Sequence, residues 1–409
     1  VSTMLALSEA RAKIIETIRA ARGVARTETS SLSDALGRVL SQPIIADRDY
    51  PPFNRSTRDG FAVRSADLAA PGAALEIVGE IRAGASFAGA IGPGQCAEIM
   101  TGAAVPEGAD AVVMIEHTHV AGARMRSDRV AEAGQNIAPR GCEARAGEVL
   151  LAAGTRMGVA EIGVAAQVGA ARVEVAARPR VAILSTGDEA VGVADAVGPF
   201  EIRNSNAVSV AALVGMAGGA AVALGNAADN SDVLHGHIEK ALSSADVLVM
   251  SGGVSAGKYD LVEPVLKVMG TEIFFDAVAI RPGRPAVFAR CRGVWIFGLP
   301  GNPASTIVTF ELFVRPAIEL LQGAEPMALP FMAAQLTAAV RQKAALTHFL
   351  PARLTWTAEG VPQVTELPWK SSGDIVALAR ANGFLLVRPE RLEMAAGEWA
   401  EFWPRRDAF

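Results

Sequence analysis

Residues 247–260 read VLVMSGGVSAGKYD, and residues 295–306 read WIFGLPGNPAST. Each stretch opens as a short apolar run with the character of a buried strand. Each then breaks into glycine and small hydroxyl residues ahead of a helical segment. In an open α/β sheet that junction falls at the carboxyl edge of the strands, where ligands bind. Glycine lets a backbone approach a ligand closely, and the free N–H groups that open the next helix favour an anion. Two such loops predict one phosphate-bearing or oxyanion ligand held between them. Neither loop completes the GxxxxGK[ST] pattern of an NTPase.

Outward from these loops the chain alternates strand and helix. RVAILST reads as a strand, SNAVSVAALVGMAG as a helix, AAVALGNA as a strand and SDVLHGHIEKALSS as a helix. After the first glycine loop, LVEPVLKVMG continues as a helix and TEIFFDAVAI as a strand, and Pro303 opens a helix after VWIFGLP. This alternation predicts a doubly wound, mainly parallel sheet covered on both faces. Towards the N-terminus, residues 7–40 have helical spacing, whereas residues 44–140 break into short β-like runs between Pro and Gly. Past Met327 short alternating strands return, FLPARLTW and GFLLVRP, and predict a small β-barrel or sandwich. The expected partition is a helical linker part at 1–44 completed by 141–177, a β-rich extended domain at 45–140, an α/β domain at 178–324 and a C-terminal β-barrel at 328–409.

Composition narrows the partners. Of 409 residues, 51% are apolar and 20% charged, ordinary for a globular chain, and the net charge of −5 offers no basic field for nucleic acid or a membrane surface. Three scattered cysteines, Cys96, Cys142 and Cys291, predict reduced thiols and a cytoplasmic setting. The uncharged span at residues 204–228 contains Asn204, Asn206, Gly218 and Gly219, and divides into a helix, a glycine stop and a strand rather than a membrane segment.

Six blocks in order, PPFNRSTRDGFAVR, EIMTGAAVPEGADAVVMIE, ILSTGDE, SGGVSAGKYD, AIRPGRPAVF and GLPGNPAS, resemble the MoeA family of molybdopterin molybdenumtransferases, to which the gephyrin E domain also belongs. The resemblance runs from about residue 7 to the C-terminus. It implies a four-domain subunit that dimerises, with a MogA-like α/β domain holding the pterin. It also implies the last step of molybdenum cofactor synthesis, in which adenylylated molybdopterin releases AMP as molybdate enters its dithiolene, assisted by a divalent metal, usually Mg²⁺. Transient contact with the molybdopterin adenylyltransferase and with cofactor acceptors follows from the same resemblance. Its acidic positions match Glu189, Asp229 and Asp260, which would hold the metal, together with Asp59 and Thr101 as further catalytic positions. Hard Mg²⁺ prefers carboxylate and water oxygens, in keeping with acids at loop ends.

The substrate-binding candidates are Gly252, Gly253 and Ser255 of the first loop, Gly301 and Asn302 of the second, Arg281 and Arg284, Ser371, and Arg353. Pro282 and Gly283 make a tight turn that can send both arginines to one side. The family generally has lysines there; arginine keeps the charge but offers a planar fork in place of a point charge. Pro351 stands where the family often has an arginine, and Arg353, two residues on and so on the same strand face, is the expected substitute. His117 and His119 lack a third ligand, His235 and His237 do not face one another on a helix, and Trp369 and Trp403 are expected to pack. Besides molybdenum insertion, the departures leave two other classes open: a nucleotide or pterin adenylyltransferase or pyrophosphatase, and an inactive pterin-binding scaffold.

Overall fold

The computed structural model describes residues 4–21, 23–253 and 261–408. By its contacts the chain forms two units: Val1–Glu28, Gly37–Ser41 and Val175–Phe409 make one, and Thr29–Leu36 with Gln42–Glu174 make the other.

The larger unit is organised by a six-stranded sheet of β1 (Arg180–Thr186), β2 (Ala220–Ala227), β3 (Val247–Ser251), β4 (Glu272–Ala277), β5 (Pro285–Cys291) and β6 (Val294–Leu299), in the order β2-β1-β3-β6-β5-β4. The first four in that order are parallel, as the alternation predicts. The other edge departs from it: β5 runs antiparallel to β6, and β4 antiparallel to β5. The cause is local. Arg292 and Gly293 both take positive φ, +48° and +87°, and form the two-residue hairpin turn that folds β6 back on β5.

Successive residues of β1 and β3 enter opposite cores, which explains their unbroken apolar runs. Val181, Ile183, Val247 and Val249 pack against α1 (Leu7–Ala21), α2 (Ser205–Met216) and the helical segment that begins with Pro303–Thr309. Ala182, Leu184, Leu248 and Met250 pack against the helices Ser231–Ser244 and Val262–Val268. Helix α1 buries Ala10, Ile14 and Ile18 at a spacing of four, so one helical stripe joins the sheet core. The uncharged span divides as expected into α2, a glycine stop and β2. Among the described residues no helix is long and apolar enough to cross a membrane.

The same unit contains a closed five-stranded barrel of β7 (Met332–Leu336), β8 (Thr347–Trp356), β9 (Pro362–Glu366), β10 (Gly383–Val387) and β11 (Trp399–Pro404). The order is β8-β9-β7-β11-β10, with β10 returning to β8. Leu350, Ala352 and Leu354 alternate inward along β8 with Val364, Leu385 and Phe402. Ile280 and Arg281 pair in parallel with Thr347 and His348, so the AIRPGRP segment is stitched to the barrel.

The smaller unit has a six-stranded sheet, mainly antiparallel, with Gly60–Val63, Ala74–Ile81 and Gln95–Ile99 near its centre. Phe61 and Val63 enter one of its cores and Ala62 the other. The three cysteines are free, and burial pushes the Cys96 thiol up to about 12, where it stays protonated and inert.

Candidate functional site

The carboxyl ends of β1, β2, β3 and β6 open into a cleft of about 1090 Å³ that the barrel closes from the other side. Backbone packing builds its floor. Gly252 and Gly253 sit at φ +95° and +63°, and a Cβ on Gly252 would stand 2.7 Å from the Thr186 carbonyl oxygen. A Cβ on Gly301 would lie 3.4 Å from Gly252 Cα, and Gly252 N–H donates to the Leu299 carbonyl at 3.1 Å. The two glycine loops therefore touch backbone to backbone, and the positive φ and the Thr186 carbonyl reserve Gly252 for glycine. Beneath them Ser185 Oγ lies 3.2 Å from Ser251 Oγ and donates to Asn204 Oδ1 at 3.1 Å. Asn204 in turn caps α2 by accepting from Ala207 N–H, and Asn206 Nδ2 donates to the Gly301 carbonyl at 2.7 Å. The first turns of α2 and of Pro303–Thr309 thus face the same space.

Charge is divided along the cleft. Glu189 and Asp229 line it from the loops after β1 and β2, at one end of the strand order. Asn226 Nδ2 donates to the carbonyls of Gly187 and Ala190 at 2.7 and 3.2 Å, and fixes the loop that carries Glu189. Asp188 is turned to a bracing role, its Oδ1 accepting from Asp229 N–H at 3.0 Å. Arg281 and Arg284 line the opposite part, with no ion-pair partner among the described residues. Between them Gly283, at φ +109°, packs so tightly on Thr309 that a Cβ would come within 2.5 Å of its methyl group. Since β5, which follows Arg284 directly, lies four strand spacings from β2 and three from β1, the acidic and basic ends are separated by roughly 14–19 Å along the sheet.

The barrel contributes Trp369, Lys370, Ser371 and Ser372 to the wall. Their loop is pinned to the second glycine loop: Asn302 Nδ2 donates to Ser372 Oγ at 2.9 Å, and Ala304 N–H to the Ser372 carbonyl at 3.0 Å. His348 is buried beside Arg281, donating from Nε2 to the Ala344 carbonyl at 2.9 Å. That bond leaves Nδ1 as the bare acceptor, without a partner among the described residues. Burial, and secondly the Arg281 charge, hold its pKa below the ordinary histidine value, against the opposing pull of the Ala344 bond.

Of the expected site residues, Glu189, Asp229, Gly252, Gly253, Arg281, Arg284, Gly301, Asn302 and Ser371 share this cleft. Ser255 and Asp260 lie outside the described residues. Arg353 is not on the cleft wall; its Nη2 donates to the Arg380 carbonyl at 2.9 Å. Asp59 and Thr101 belong to the smaller unit, where Asp59 Oδ1 accepts from Thr101 N–H at 2.6 Å and from its hydroxyl at 2.8 Å. These two bonds hold the Asp59 carboxyl below its usual range. Among the described residues no group of three or more His, Cys, Asp and Glu side chains gathers to hold a metal. Trp369 does pack against the barrel core as expected, but it also lines the cleft. The sequence reading missed Asn204, Asn206, His348 and Lys370. For the asparagines the signal was present as an N-S-N run before a helix.

Three family models match the chain in order: the MoeA N-terminal region (domain I and II) over residues 5–169, a probable molybdopterin binding domain over 182–320, and the MoeA C-terminal region (domain IV) over 333–404. The molybdopterin molybdenumtransferase of Bacillus subtilis is 37% identical over 88% of this chain and 86% of its own length. That of a Nostoc species is 40% identical over 73% and 70%. A crystal structure of the molybdopterin biosynthesis MoeA protein from Pyrococcus horikoshii superposes with a TM-score of 0.83 at 25% identity, covering 98% of this chain and 100% of that one. Floor, charge pattern and relatives agree, and the chain belongs to the MoeA family of molybdopterin molybdenumtransferases, enzymes of molybdenum cofactor biosynthesis.

Proposed function

We propose that the cleft is where this transferase inserts molybdenum into adenylylated molybdopterin with release of AMP. The observation that carries the reading is the meeting of two glycine loops between an acidic end and a basic end of one 1090 Å³ space. That volume suits a nucleotide–pterin conjugate, which needs more room than a single small metabolite. The N-terminal turn of α2, where Ser205 and Asn206 both line the cleft, favours the phosphates over the floor. Arg281 and Arg284 present charged donors to tetrahedral molybdate. Asn302, braced against Ser372, and Ser371 orient the bound group from the barrel side. Trp369 offers an apolar ring face to the planar part of the substrate.

A divalent cation fits the acidic end, because Mg²⁺ is commonly held by one or two carboxylates together with substrate phosphates and water. Glu189 and Asp229 would hold it, with Asp260 as the third acid. When bound, it would neutralise charge on the phosphoanhydride as AMP departs. The carboxylates need no proton transfer for this: their task is to stay ionised and fixed, and the loop braced by Asn226 serves that end for Glu189.

The family resemblance supports a homodimer in which Asp59 and Thr101 serve a partner's cleft, the four-domain partition given above, and a cytoplasmic setting. Protein mixed with adenylylated molybdopterin, Mg²⁺ and molybdate should release AMP and yield active cofactor. AMP release without cofactor would instead indicate a pyrophosphatase, and neither product a scaffold. A monomeric mass at micromolar concentration would overturn the dimer.

A further inference from the structure

We infer that Lys370 is a substrate-binding residue of this cleft, supplying from the barrel a cation that grips the tetrahedral oxyanion substrate opposite Arg281 and Arg284. The inference rests on the cleft being the molybdenum-insertion site.

The barrel needs a cation of its own on this wall if the anion is to be held from two sides, and Arg353 does not provide it. Its guanidinium is directed to the Arg380 carbonyl, away from the cleft lining. Four cationic side chains line the cleft among the described residues: Arg203, Arg281, Arg284 and Lys370. Arg203 is committed to its own loop, donating to the carbonyls of Val193 and Asp195 at 3.0 and 3.3 Å. Arg281 and Arg284 both come from the single turn after β4. Lys370 alone comes from the barrel loop, and its ammonium has neither an ion-pair nor a hydrogen-bond partner among the described residues.

Its placement is fixed rather than incidental. Lys370 N–H donates to Asp374 Oδ2 at 3.3 Å, Gly373 N–H to Ser371 Oγ at 3.2 Å, and Asp374 Oδ1 caps the helix Ile375–Arg380 by accepting from Ala377 N–H. Asp374 feels the Lys370 charge, but its two oxygens are already occupied by backbone N–H groups. On the other flank Ser372 is held by Asn302 and Ala304. The loop therefore enters a ligand complex already ordered, and only the lysine side chain has to be immobilised. Its loop is also bonded to the segment that follows β6, two strand spacings from β1, which precedes Glu189, and three from β2, which precedes Asp229. An oxyanion at this end avoids repulsion from Glu189 and Asp229, whereas phosphates near those acids would need the metal. The lysine is thus assigned to free molybdate rather than to the phosphates of the nucleotide.

Wild type, Lys370→Gln, Lys370→Arg and Arg284→Ala are each titrated calorimetrically with molybdate and, separately, with AMP, after melting curves confirm the fold. Lys370→Gln should weaken molybdate binding roughly two- to fivefold, the range for one solvent-accessible charge contact. Lys370→Arg should retain most of the affinity, AMP binding should change little, and in turnover the loss should fall on KM for molybdate rather than on kcat. Unchanged molybdate affinity in Lys370→Gln alongside a loss in Arg284→Ala overturns the role of Lys370 and leaves the cleft intact as the site. A loss confined to AMP overturns the molybdate assignment in favour of a phosphate contact. If neither variant affects either ligand, the reading of the cleft itself fails, and the inference with it.

Discussion

On the sheet side of the cleft Gly252, Gly253 and Gly301 make the wall from backbone, while on the barrel side Trp369, Lys370 and Ser371 make it from side chains on a braced loop. The first wall is defined by what cannot stand there, since a Cβ would meet the Thr186 carbonyl at Gly252 and the Thr186 hydroxyl at Gly253, and both residues hold a positive φ. The second is defined by where hydrogen bonds hold the chain, and many residues could occupy the same loop. Damage to the first should therefore be nearly all-or-none, and damage to the second graded.

Gly252→Ala tests the first half at full strength. The new methyl group meets the Thr186 carbonyl oxygen at 2.7 Å while the residue is held at φ +95°. Forcing an alanine there should cost about 1–3 kcal/mol of stability. By displacing a floor on which both loops rest it should also abolish AMP release. A variant that turns over within tenfold of wild type would show that the loops need not touch. Glu189→Gln removes only charge, from a residue at the acidic end, so its melting temperature should stay near wild type. Losing one metal-positioning oxygen should slow AMP release on the order of a hundredfold. Excess Mg²⁺ should recover part of the loss, and wild-type turnover would reduce Glu189 to a loop residue. Arg281→Ala or Arg284→Ala should cost about ten- to hundredfold in molybdate dependence, one charge-assisted contact each. Arg→Lys at either position should cost less, because the charge remains.

What was legible in the sequence follows the same division. Touching glycine loops leave a trace in residue type, so SGG and PGN were read from the sequence, while the N-S-N run carried a helix-cap signal that went unread. The α/β alternation was legible for a similar reason, since β1 and β3 bury both faces and must be apolar throughout. Strand β5 was passed over because PAVFARC follows a Pro-Gly turn and breaks the β/α rhythm, and because Arg292–Gly293 lacks the Asn or Asp that usually marks a two-residue hairpin turn. Lys370 left no trace, because a lysine beside two serines looks like any solvated loop, and only the bonds from Asn302 and Asp374 show where it points the chain. Arg353 misled because strand alternation gives the face shared with Pro351 but not whether that face meets the cleft. It does not: His348 and Leu350, on the opposite face of β8, line the cleft instead.

The smallest expected effect concerns His348, where the barrel wall meets the Arg281 turn. Its folded pKa lies below the ordinary value because burial, with the nearby Arg281 charge, disfavours the imidazolium. Above the unfolded histidine value, near 6.5, both states are neutral and the residue adds no pH dependence. As pH falls through that value the unfolded chain takes up the proton first, so stability declines until the folded pKa is also passed. Below both values the loss is complete and the slope returns to zero. His348→Gln keeps a donor for the Ala344 carbonyl but cannot titrate. Melting curves of wild type and variant at pH 7.5 and 5.5 should therefore differ in slope: wild type should lose more on acidification, by about 1–2 °C in a chain of this size. A second readout separates the cleft from the core. If His348 presses on Arg281 only when protonated, molybdate affinity should fall with acid in wild type no faster than in the variant above pH 6.5, and diverge below it. Parallel curves for both stability and affinity would show that the buried imidazole is indifferent to its charge and that the two walls are not electrostatically coupled there.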